Sequence, residues 1–74
     1  MPHVIIKHFP VALGGEQESQ LVARITDAVR VAFGCEAGVI SIALEPVAAD
    51  AWNEQVYVPE IVNRRELLRK VPRY

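Results

Sequence analysis

One cysteine, Cys35, is all that 74 residues contain. No internal disulfide can brace the chain, and no cysteine–histidine array has the spacing of a metal site. Charge is also scarce in net terms, at −1, so there is no basic excess of the kind that marks a nucleic-acid partner. No apolar run approaches the roughly 20 residues that cross a bilayer. The first residues lack the basic stretch and long apolar segment of a secretion signal. With a lone thiol and no such signal, the reading is cytoplasmic. Repeats, linkers and low-complexity segments are missing too, which leaves a single domain over residues 1–74. Membrane and nucleic acid both drop out as expected partners.

What the chain does have is apolar residues, 51% of the total. A domain this short buries a smaller share of its surface than a larger one. The excess therefore reads as surface reserved for another copy of the chain. His3 to Phe9 predict a strand, and the run Val4-Ile5-Ile6 implies burial on both faces. Pro10 ends it, and Gly14-Gly15 mark a loop. Leu21, Val22, Ile25, Ala28, Val29, Ala32 and Phe33 recur at spacings of three and four, which predicts a helix over 16–33 with Gly34 as its cap. Val39 to Leu44 predict a second strand. Strand, helix and strand form a βαβ unit with parallel strands. Asp50 is expected to cap a short turn carrying Ala51 and Trp52, and Pro59 to open a further helix that ends before Pro72. The class is α+β. Two parallel strands are too few to stand alone, so a homodimer with a four-stranded sheet is expected. The face away from the helices is expected to be covered by the C-terminal segments or by a further dimer.

Pro2 follows the initiator methionine. Trimming the methionine makes it a secondary amine, which no other chain position can offer. An α-amino group in water has a pKa of roughly 8, and an apolar pocket or nearby cations make it a usable base. In the plainer reading Pro2 only permits trimming and starts a strand. Lys7, inside an apolar strand, either packs its stem with its amine at a sheet end or subunit boundary, or acts on Pro2 or a carboxylate. His3 and His8 fall on opposite faces of the strand, which argues against a shared metal. His3 either tunes Pro2 or is satisfied by a backbone group. Arg64, Arg65, Arg69, Lys70 and Arg73 form a solvated basic run, or else Arg69 or Arg73 reaches a substrate carboxylate. Cys35 reads as structural, Ser41 as a packing residue or a hydrogen-bonding one, and Tyr57 and Tyr74 as pocket or interface aromatics.

The run Met-Pro-His-Val-Ile-Ile-Lys-His-Phe-Pro at 1–10, the segment Ser41-Ile42-Ala43-Leu44, Trp52 and the ending Pro72-Arg73-Tyr74 resemble the 4-oxalocrotonate tautomerase superfamily. They look like its small dimeric bacterial branch, the phenylpyruvate-type tautomerases. The resemblance covers nearly the whole chain and is loose from Val56 to Glu66. It implies a cofactor-free enzyme that moves a proton within a small 2-keto acid, with Pro2 as base and then acid and Trp52 as an aromatic pocket wall. Where the best-known members carry two arginines for the substrate's oxygens, this chain has Ala12 and Ser41. The substrate implied is then a monocarboxylate with an apolar body, and Arg73, Lys7 and Ser41 are the candidates to hold it. Two other readings stand beside this one: a superfamily dehalogenase, hydratase or decarboxylase, and a non-catalytic oligomeric interaction module.

Overall fold

The computed structural model describes all 74 residues. The β-branched run at the start forms strand β1, His3–His8, and helix α1 follows over Gly15–Phe33. Gly14 precedes the helix without a side chain to cap it, so the Gln17 Oε1 reaches back and accepts the Gly14 N–H at 3.0 Å. Glu16 and Glu18 lie in the first turn, where the helix dipole favours negative charge. Gly34 closes the helix as expected. It takes the left-handed conformation, φ 63° and ψ 39°, and its N–H donates to the Arg30 carbonyl.

Strand β2 spans Ser41–Pro46, two residues later than the apolar run predicts. The reason is in the preceding turn. Val39 and Ile40 donate their N–H groups to the Glu36 and Ala37 carbonyls at 3.2 and 3.1 Å, closing a 3₁₀ turn over Ala37–Val39. Ser41 is then the first residue whose amide is free for the sheet, and it donates to the Pro2 carbonyl at 3.1 Å. The strands pair in parallel, with His3 opposite Ser41, Ile5 opposite Ala43 and His8 opposite Pro46.

Alternation along β1 gives each sheet face its own cover. Val4 and Ile6, opposite Ile42 and Leu44, are half-buried, as are Leu21, Ile25 and Val29 at four-residue spacing on α1. Val4 shares a hollow with Val29 and Phe33, which places α1 over this face. His3, Ile5 and Lys7 face the other way, toward the C-terminal segment. The expectation that C-terminal residues cover this side is met. Cover is partial, however: only Val47 and Val56 are buried, while Ile5 stays 51% exposed and Phe33 71%. No helix is long and apolar enough to cross a membrane.

The C-terminal segment departs most from expectation. Ala48, not Asp50, precedes the turn Ala49–Ala51, because the Ala51 N–H donates to the Ala48 carbonyl at 3.0 Å and puts Asp50 inside it. A π-helix runs from Asn53 to Val62 with Pro59 in its interior, followed by a 3₁₀ turn over Arg65–Leu67. Pro59 therefore opens nothing. In the wider i→i+5 pattern its missing N–H leaves only the carbonyl of Glu54, an exposed residue, without its helical donor.

One ion pair ties this segment to the sheet. Lys7 Nζ donates to Glu60 Oε2 at 3.1 Å, and Arg64 Nη1 donates to the other oxygen, also at 3.1 Å. The Glu60 carboxyl is held below its ordinary 4.5, chiefly by Lys7, against an upward push from desolvation, with Arg64 adding a further downward pull. Lys7 thus neither projects free nor stays unpaired.

Two outcomes follow for stability. Gly34→Ala should lower the urea-derived unfolding free energy by about 1–2 kcal/mol; nothing lies within 4 Å of the added Cβ, so the cost is the left-handed backbone alone. The lowered Glu60 value sets the sign of a pH effect: the stabilisation is complete above the ordinary 4.5 and fades as pH falls through the folded value. Urea midpoints taken from about pH 5 down to about pH 3 should fall for the wild type and fall less steeply for Glu60→Gln.

Candidate active site

Three groups of side chains line up along β1. At its start, Pro2 is half-buried in a hollow formed with Met1, His3, Val4, Val29 and Phe33. The Ser41 backbone binds the Pro2 carbonyl, and the Ser41 hydroxyl lies 2.6 Å from His3 Nδ1. One serine therefore fixes both residues. The hydrogen bond expected for His3 is present, but its partner is this side chain rather than a backbone group. Met1 itself is 96% exposed.

Midway, Lys7, Glu60 and Arg64 sit in an open groove of about 530 Å³ whose floor includes His3 and Ile5 and whose wall includes Val56 and Leu68. Both cations contact the one carboxylate between them, one on each oxygen, so the cluster keeps a single positive charge. At the far end Trp52 meets Phe9 edge-to-face, with ring centroids 5.0 Å apart, and donates its indole N–H to the Tyr74 hydroxyl at 3.3 Å. Tyr57 lies against Tyr74 at 5.8 Å. Such an aromatic group is a broad apolar surface with polar edges, suited to a flat apolar ligand.

The structure brings Pro2 and Ser41 together and sets Lys7 in the groove. Trp52 lines that groove too, but at the other end of β1. At about 3.3 Å per residue, roughly 20 Å of strand separates Pro2 from the Phe9–Trp52 contact. Arg73 is exposed, next to the Tyr74 that binds Trp52. Arg69 is not free: its Nη1 donates to the Leu67 carbonyl at 3.1 Å and, at longer range, to those of Glu66 and Leu68. Ala12 lies in the exposed loop beyond the C-terminal end of β1, beside His8 and Leu13.

Sequence reasoning gave Glu60 and Phe9 no role and read Arg64 only as part of a solvated basic run. The four-residue spacing of Glu60 and Arg64 is the one local signal that could have joined those two. Phe9 offered none, since its contact with Trp52 spans two separate elements.

No protein-family model matches the chain. Curated proteins do. A protein named Tautomerase PptA from Enterobacter sp. (strain 638) is 38% identical over all 74 residues and 97% of its own length. Those of the same name from Escherichia coli O139:H28 and Pectobacterium carotovorum subsp. carotovorum are 36% and 31% identical over the same shares. With its βαβ unit of parallel strands and its C-terminal segment, the chain belongs to the 4-oxalocrotonate tautomerase family, on the branch of these tautomerases, and is an isomerase.

Proposed function

We propose that the enzyme interconverts the enol and keto forms of a small 2-keto acid with an apolar body, such as phenylpyruvate, using Pro2 as the proton carrier. The observation that carries this reading is the setting of Pro2. Its carbonyl is anchored to β2, its ring lies half-buried among Val4, Val29 and Phe33, and Met1 ahead of it stands in solvent within reach of an aminopeptidase. Once methionine is removed, the Pro2 nitrogen is a secondary amine at the edge of an apolar hollow, which brings its neutral and protonated forms closer in free energy. It takes up and gives up a proton as the enol and keto forms interconvert. The reaction is redox-neutral and needs no cofactor. With both family arginines replaced, the exposed Arg73 is the cation offered to the carboxylate, and Ser41 supports the Pro2 end.

Trp52 enters this site from a second copy. Both strands of the two-stranded sheet are edges, with Ile5 half-exposed between them and the C-terminal segment. A two-fold axis pairs like edges antiparallel. The start of one chain's strand then lies beside the end of the other's, so Pro2 of one protomer faces the Trp52–Phe9 end of its partner. The same pairing completes a four-stranded sheet and withdraws exposed apolar surface from water.

Ultraviolet absorbance should show mass-verified, methionine-free protein ketonising phenylpyruvate enol well above buffer, with Pro2→Ala slower by about 10²-fold or more. A Pro2→Ala variant as fast as the wild type would sink the assignment. Unfolding midpoints should rise with protein concentration, as an obligate dimer requires. Mixing inactive Pro2→Ala with Trp52→Ala should restore activity to about a quarter of wild type, because half the dimers are mixed and each holds one intact site.

A further inference from the structure

We propose that His3, oriented by Ser41, is a second catalytic residue, carrying the proton of the substrate oxygen while Pro2 serves the carbon. This rests on the tautomerase reading of Pro2. An enol and its ketone differ by a proton on oxygen and a proton on carbon, and one amine nitrogen cannot bond to both at once. A second group beside Pro2 shortens the path. Among the residues that form the Pro2 hollow, Met1, Val4, Val29 and Phe33 have no titratable side chain, and His3 does. His3 also lines the groove, so this residue borders both spaces. Lys7 lies four residues further along β1, about 13 Å away by strand rise, and is engaged by Glu60.

The ring is prepared for this task. Nδ1 lies 2.6 Å from the Ser41 hydroxyl, and Ser41 is in register with His3 and bonded through its N–H to Pro2. With Nδ1–H donating to Ser41 Oγ, Nε2 keeps its lone pair, and no protein group occupies it. In ketonisation Nε2 accepts the enol O–H proton and the oxygen's electrons form the C=O bond. The C=C pair then takes a proton from protonated Pro2 at the neighbouring carbon. His3 has gained one proton and Pro2 has lost one, and exchange with water restores both. Ser41 touches no reacting atom in this step; it is a positioning residue.

The test compares His3→Gln, Ser41→Ala and the double variant on phenylpyruvate enol, using methionine-free protein. Glutamine keeps hydrogen-bonding capacity and cannot relay a proton. His3→Gln should lose about 10²-fold in kcat with KM little changed. Ser41→Ala should lose less, and the double variant should be no slower than His3→Gln, since Ser41 acts through the ring. Trapping the Pro2 amine with benzaldehyde and cyanoborohydride, mapped by peptide mass, should proceed equally in wild type and variants. A His3→Gln enzyme with wild-type kcat overturns the proposal. So does a loss of activity matched by loss of Pro2 trapping, which would make His3 a prop for the proline. If Pro2→Ala is itself fully active, the Pro2 reading fails, and the division of labour with His3 fails with it.

Discussion

Parallel pairing of two strands is the constraint from which the rest of this molecule follows. A tight turn cannot join parallel strands, so the chain must travel the length of the sheet before β2 begins. Helix α1 is that return path, and it covers one face as it goes. The opposite face is left to whatever chain remains, and the π-helix and the turns after it are laid across it. Even so, two buried valines make a thin core for a folded chain. The apolar surface left over is the driving force for the dimer proposed above.

The same constraint sorts the chemistry. Because side chains alternate, His3, Ile5 and Lys7 share the groove while Val4 and Ile6 lie under the helix. Ser41 is placed opposite His3 by register, and that register is set by the turn that consumes the amides of Val39 and Ile40. A backbone hydrogen-bond count two residues upstream therefore decides which hydroxyl meets the imidazole.

The βαβ unit was legible because each of its signals is local: β-branched residues for β1, a periodic stripe for α1, a glycine where the backbone turns left-handed. The C-terminal segment was not, and Pro59 shows why. A proline followed by Glu60 and by Ile61 and Val62 reads as a helix start, but in π geometry it sits mid-element at small cost. Glu60 was equally hidden. Its partnership with Lys7 joins residues 53 positions apart, and no spacing rule reaches that far. Among the proposed site residues, Pro2 was marked by its position, whereas the hydrogen bonds of Ser41 to Pro2 and His3 emerged only once its partners were in place.

Chain termini usually accept additions and deletions with little consequence. Here the alternation of β1 reverses that rule. A single residue inserted between Pro2 and His3 would leave the strand intact, yet the proline would stand one step out of phase with the imidazole. On the proposed roles of these two residues, the exposed loop from Val11 to Gly14 can lengthen far more freely than the first three residues. The part of the proposed site least tolerant of a change in length is then an end.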